Sequence, residues 1–304
     1  MSKIILDVGN SWGLGDCIQW TTLPEIFYKF FNLKLTDVRK CWAFDNNPYV
    51  LREQEIPNIV SKIESKLKEP IPSIYCKIED WPKFFQIPKN AEIIDGIVFI
   101  QLHVHTPQSE GKHCFRSKFD SISALIGISI DQKNDLKVSR NQRLYKYENE
   151  KMIPNQVVVH VGPSNSTPDQ FISDDIINTI AENYKDFNII QIGAEKDNDT
   201  PFLDKRGLDI WDSAQLIAQS FIFIGPNSGP SHLANCYPRV NKKIILCSQM
   251  INHETSRYEE LKSFIPSNTW MFGASDFERW IDYGCQYYND REYDVGVTYS
   301  YKKI

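Results

Sequence analysis

Residues 156–192 constrain the fold more than any other part of the chain. Residues 156–161 (QVVVHV) are β-branched and apolar, the pattern of a strand covered on both faces. Ser173 then precedes Asp174 and Asp175, a helix cap followed by an acidic first turn. Ile176, Ile177, Ile180, Ala181 and Tyr184 recur at helical spacing behind it. Residues 188–192 (NIIQI) read as a second buried strand. Strand, helix and strand in this order form a βαβ unit, which requires parallel strands and a right-handed crossover.

The alternation continues on both sides. Downstream, residues 212–219 read as a helix, 221–224 (FIFI) as a strand, 229–236 as a helix and 244–247 as a strand. Upstream, residues 3–8 (KIILDV) read as a strand, followed by a glycine-containing turn and a helical run over 18–31. Residues 97–102 (IVFIQL) are another buried strand, and the proline-rich stretch 57–90 reads as irregular connections with short elements. Residues 131–155 are polar without an apolar face and mark a linker. A chain of 304 residues has the length of two domains. The expectation is α/β: two doubly wound domains, 1–145 and 146–275, facing each other across a cleft. The aromatic, amphipathic residues 276–288 begin a helical tail, 276–304.

Composition removes several classes. Hydrophobic residues at 41% and charged residues at 24% are those of a globular chain, not of a disordered or collagenous one. No apolar run reaches the ~20 residues of a membrane-spanning helix, so no integral membrane contact is expected. The N-terminus lacks the apolar core of a secretory signal. Seven cysteines without a CxxC pair read as reduced thiols, so a cytoplasmic protein is expected. Against 39 acidic residues stand 34 basic ones, a net charge of −5, which leaves no chain-wide basic footprint for nucleic acid.

In open α/β sheets ligands sit at the carboxyl ends of strands, so the loops after strands are the candidate sites. The first ends in SWGLGD, where Gly13 and Gly15 allow close backbone approach and Asp16 opens the next helix. Asp16 there serves either as a helix cap or as a general base. A lone GxG lacks the third glycine of a dinucleotide fingerprint. The second loop, 225–232 (GPNSGPSH), places Asn227, Ser228, Gly229 and His232 at a helix start suited to phosphate; the alternative is a capped helix with a structural histidine. The third, 162–170 (GPSNSTPDQ), offers neutral donors from Ser164, Asn165 and Ser166, or is a solvated turn. Glu195, in GAEKD, is either a partner for ribose hydroxyls or a surface residue. His103, His105, His113 and Cys114 are ligand types, but no second compact pair completes a tetrahedral zinc set, so no metal is expected. With Lys112, Arg116 and Lys118 they form either a basic lip for an anionic acceptor or a solvated loop.

Residues 13–24 (GLGDCIQWTTLP) resemble the N-terminal glycine-Asp motif of the ADP-heptose:lipopolysaccharide heptosyltransferases. Residues 213–236 (SAQLIAQSFIFIGPNSGPSHLANC) resemble their donor-site motif, in which an Asp-Ser/Thr-Gly run precedes a His-Leu pair. HVGPS and IGAEKD stand in the family's order and spacing, and residues 95–127 are similar in layout. The resemblance implies a GT-B fold, two Rossmann-like domains with the last helix crossing back to the first. It implies inverting, metal-independent transfer of a sugar from a nucleotide-sugar, which is a substrate, so no cofactor is needed. Asp16 matches the general base, Ser228, Gly229 and His232 the donor-phosphate residues, and Glu195 a ribose-contacting acid. Gly13, Gly15, Ser164, Asn165, Ser166 and Asn227 fall on the donor side, and His103, His105, Lys112 and Arg116 on the acceptor side. The implied partners are a nucleotide-sugar and a glycan or lipid-linked glycan, the latter met at the inner face of a membrane. Two positions depart from the pattern: Asn227 stands where Asp is usual, and residues 162–170 lack the expected basic residue. A non-catalytic nucleotide- or glycan-binding protein on a decayed transferase scaffold therefore stays open, as does a transferase for modified nucleic acid or protein.

Overall fold

The computed structural model describes residues 4–8, 13–53, 58–65, 73–82, 87, 91–101, 142–163, 171–226, 228–237, 239–247 and 269–273. The chain divides into two units, Met1–Lys146 and Tyr147–Ile304, each built on one six-stranded sheet. It is an α/β chain with one mixed and one fully parallel sheet, which fits a GT-B fold. The expected tail helix over 276–288 lies outside the described residues.

In the first unit β1 (Ile4–Asp7) is followed by two short helices, α1 (Leu14–Gln19) and α2 (Thr22–Phe31). The single helix expected over 18–31 is interrupted at Trp20 and Thr21, where the Thr21 hydroxyl bonds the Ile18 carbonyl at 2.7 Å. A threonine hydroxyl that takes a backbone carbonyl in this way competes with the helical ladder. Strands β2 (Leu35–Asp37), β3 (Val50–Arg52), β4 (Ser73–Lys77), β5 (Glu92–Ile94) and β6 (Ile97–Gln101) complete the sheet in the order β3-β2-β1-β4-β6-β5. The β3-β2-β1 half is parallel; β4, β5 and β6 pair antiparallel. The doubly wound expectation for this domain is corrected on that half of the sheet. Stretch 57–90, expected to hold irregular connections with short elements, contains helix α3 (Asn58–Glu64) and the central strand β4. Core residues Ile5, Val38, Val60, Ile63, Tyr75, Ile97 and Phe99 cluster on this sheet.

Residues 142–150, expected to be linker, are anchored. Arg143 N–H donates to the Thr21 hydroxyl at 3.0 Å, and Arg143 Nη1 and the Tyr145 hydroxyl reach Glu25 Oε2 at 3.4 and 3.1 Å. Immediately after, Tyr147 meets Trp211 edge to face, and Glu150 Oε2 accepts from Gln219 Nε2 at 2.9 Å. The chain thus leaves the first unit and joins the second within a few residues.

The second unit runs, among the described residues, β7 (Ile153–His160), α4 (Asp174–Asn183), β8 (Asn188–Ile192), β9 (Leu203–Asp204), α5 (Ile210–Ala218), β10 (Ser220–Pro226), α6 (Gly229–Cys236), β11 (Lys242–Cys247) and β12 (Thr269–Gly273). All its pairings are parallel, in the order β12-β11-β10-β7-β8-β9. Residues Gln156 to His160 of β7 are all buried, as both faces are covered. Val157, Val159, Ile222, Ile224 and Ile244 pack on one face with Ile176, Ile177 and Ile180 of α4. The opposite face meets α6: a Cβ added at Gly225 lies 3.2 Å from Ser231 Oγ and 2.9 Å from the Phe223 ring. Gly225 lets the helix start come this close.

Candidate functional site at the end of the second sheet

Strand order reverses between β7 and β10. Successive strands run outward from β7 to β9 on one side and from β10 to β12 on the other. Counted within the sheet this is the order 3-2-1-4-5-6, and ligands of such sheets bind in the crevice beyond the carboxyl ends at the reversal. Here those ends are His160 and Pro226.

Helix α6 opens at that point. Ser228 is its N-cap in extended conformation (φ −149°, ψ 174°), and its side chain makes no capping bond. Its hydroxyl lies 2.9 Å from His160 Nδ1 and 3.3 Å from the Pro226 carbonyl. Its own carbonyl accepts from the Ser231 and His232 amides at 3.1 and 3.3 Å. Pro230 has no N–H, so Gly229 carries the amide of the first turn that these bonds leave over. The His232 side chain is buried.

Behind Ser228 stands a second pair. His160 Nε2 lies 3.2 Å from Asp197 Oδ2, and both side chains are buried. Asp197 Oδ2 also accepts from the Ala194 amide at 3.1 Å, and the Asp197 amide closes the turn on the Ala194 carbonyl at 3.0 Å. The pair depends on Gly193, at φ +135°: a Cβ there falls 2.1 Å from Asp197 Oδ2 and 2.9 Å from His160 Cδ2. Ser228, His160 and Asp197 therefore form one line of polar contacts from the α6 start into the sheet. Sequence reasoning placed Ser228 but missed His160 and Asp197. The available signal was a histidine closing an otherwise apolar strand. In GAEKD it took Glu195, which is exposed and lies against Gly207; Asp197 is the buried carboxylate.

In the first unit Gly13 is the α1 N-cap and exposed, Gly15 is half-buried, and the Asp16 backbone stands in the first turn of α1. The Asp16 side chain, Ser164, Asn165, Ser166, Asn227, His103, His105, Lys112 and Arg116 lie outside the described residues, as do His113, Cys114 and Lys118. At the carboxyl ends of β1 and β2 the structure adds a polar cluster that the sequence did not flag. Arg39 Nε donates to Asp7 Oδ1 at 3.1 Å, and the Arg39 amide to Asp37 Oδ1 at 3.1 Å. Arg52 Nη1 stands 3.7 Å from Asp37 Oδ2 and Nη2 bonds Asp45 at 2.8 Å. Burial pushes the Asp37 carboxyl up to about 6 against the pull of Arg52, and burial beside Asp7 pushes the Tyr75 phenol up to about 12. Among the described residues no group of three or more His, Cys, Asp or Glu is arranged to hold a metal ion. No helix among them is long and apolar enough to cross a membrane.

No protein-family model matches the chain, and no curated protein does. Solved structures do. Escherichia coli ADP-heptose lipopolysaccharide heptosyltransferase II matches with a TM-score of 0.52 at 11% identity, over 88% of this chain and 89% of its own. The fold is the one these transferases share. The family 9 glycosyl transferase of Veillonella parvula matches at 0.50 and 11% identity, over 92% of this chain and 89% of its own. Escherichia coli heptosyltransferase WaaC, solved with ADP, matches at 0.50 and 10% identity, over 92% of this chain and all of its own. The similarity spans the greater part of the chain, both sheets included.

Proposed function

We propose that the chain is a glycosyltransferase that moves a sugar from a nucleoside-diphosphate-sugar to a hydroxyl group of a glycan. The observation that carries this reading is the switch point itself. In support of it, strand order reverses between β7 and β10, sheets of this order take nucleotide ligands beyond the carboxyl ends at such a reversal, and the run that resembles the transferases' donor motif follows β10 in the sequence. In this reading Ser228, Gly229 and His232 hold the diphosphate with Asn227, Ser164, Asn165 and Ser166, and Glu195 contacts the ribose. The first unit takes the acceptor, with Gly13 and Gly15 leading into Asp16 and with His103, His105, Lys112 and Arg116 on the acceptor side.

The reaction is a single in-line displacement. Asp16 removes the acceptor proton, the acceptor oxygen attacks the anomeric carbon, and the bond to the diphosphate breaks with inversion. Charge on the leaving diphosphate is met by hydroxyl and amide donors, with no metal ion. Preorganised donors of this kind act strongly where water is excluded. The sugar is heptose-like or of another kind.

Release of nucleoside diphosphate is to be measured with ADP-, GDP-, UDP- and CDP-sugars and hydroxyl acceptors. Asp16→Ala is expected to lower turnover by ~10²–10⁴-fold, and near-normal turnover in a folded variant removes Asp16 as base. Asn227 and the absence of Lys or Arg from residues 162–170 favour one rival, a binding protein without catalysis. Tight nucleotide binding with no turnover on any acceptor would establish that rival.

A further inference from the structure

The Ser228 side chain occupies an N-cap position and does not cap. In that position a serine hydroxyl ordinarily accepts from an amide of the first helical turn, yet here it is 2.9 Å from an imidazole nitrogen. The other nitrogen of that imidazole faces a carboxylate at 3.2 Å. Hydrogen bookkeeping along the line is then restrictive. The Asp197 carboxylate accepts only, so the favourable tautomer of neutral His160 carries its proton on Nε2. Nδ1 is left as an acceptor, and the Ser228 hydroxyl must spend its proton on it. A second proton on His160 reverses this bond: Nδ1–H donates to Ser228 Oγ, and the hydroxyl proton becomes free to turn outward. The Pro226 carbonyl, 3.3 Å away, accepts it when no ligand is present.

We infer that His160, held by Asp197, is a positioning residue that presents Ser228 to the diphosphate as a hydrogen-bond donor, and that diphosphate binding is coupled to uptake of a proton by His160. This rests on the transferase reading above and deepens it. A diphosphate oxygen only accepts, so it is served by the hydroxyl in its outward-donating state and not by the state that donates to His160. The imidazolium behind the hydroxyl also brings a positive charge to a place where residues 162–170 supply none. Among the described residues, the groups facing His160 from the packed elements are few. Asp197 comes from the β8–β9 connection and Ser228 from α6, while Gly193 closes against the ring edge. Arg206 approaches the same turn but bonds the Asp197 main-chain carbonyl and the Asp199 and Asp204 carboxylates, so the Asp197 carboxylate is left to His160 and the Ala194 amide.

The test is calorimetric titration of the whole protein with ADP, GDP, UDP and CDP, in buffers of different ionisation heat. It is repeated across a range of pH. The tightest-binding diphosphate is expected to bring in a proton, with its affinity falling as pH rises. His160→Gln keeps an N–H for Ser228 without a titrating group, so it is expected to bind with no proton uptake and a flat pH profile. Ser228→Ala keeps the histidine and removes the relay, so uptake is expected to fall well below one proton; this variant decides the matter if His160→Gln does not fold. Binding without uptake in the unaltered protein, or uptake that survives in His160→Gln, overturns the coupling and leaves the transferase reading in place. Failure of every diphosphate to bind overturns the transferase reading, and the coupling with it.

Discussion

Lys243 lies fully buried in β11, in register with Phe223 on the face that meets α6. Burial pulls its ammonium down to about 7, with the Cys236 thiol a smaller and opposite influence. From about pH 7 to about pH 10 the unfolded chain therefore holds a proton that the native chain has released, and stability rises with pH through that window. The contribution is complete above the unfolded value and is lost as pH falls towards 7. Lys243→Met is expected to flatten this slope and to raise stability near neutral pH by about 1–4 kcal/mol. Urea unfolding at neutral and alkaline pH measures both effects, and an unchanged slope would show that Lys243 is not its source. Sequence reading did not find this lysine, because it stands in a KKIILC run whose outer members are ordinary strand residues. Register decides which side chain goes inward, and register is a tertiary property. The same limit applies to Asp197: its burial against His160 and Gly193 leaves no mark in GAEKD.

At the level of elements, the strands and helices with strong local patterns emerged as read, among them β8 (Asn188–Ile192) and α6 (Gly229–Cys236). Caps were less legible. Ser173 has the right residue type and makes no side-chain cap bond, whereas Asp209, which the sequence did not single out, accepts from the Trp211 and Asp212 amides at 2.7 and 2.8 Å. Asp209→Ala is expected to cost about 1 kcal/mol and Ser173→Ala only a few tenths, read from paired denaturation curves. Equal costs would mean that Ser173 caps in solution. Strand β4 escaped because prolines at 70, 72 and 82 bracket it, and because SIYCK is too short to show a period. Its antiparallel pairing with both β1 and β6 is fixed by neighbours distant in sequence.

For the whole molecule, the α/β class was accessible from the alternation of strand and helix patterns. The mixed sheet of the first unit was not, because antiparallel insertion leaves no mark on hydrophobic pattern. If the donor site belongs to the second sheet alone, a nucleoside diphosphate at about a hundred times its Kd adds about 2.7 kcal/mol there. Hydrogen exchange is expected to show that gain as added protection in β7, β10 and α6, with β1 and β2 unchanged. Equal protection of both sheets would count against a donor site so confined.

The adjacency of β7 and β10 also bears on how the chain is made. Val157 takes its place beside Ile222, so the first strand of the second sheet to leave the ribosome waits for its inner neighbour until α4, β8, β9 and α5 have followed it out. During that interval an apolar strand has one open edge, the state in which nascent chains are most exposed to mispairing and to capture by chaperones.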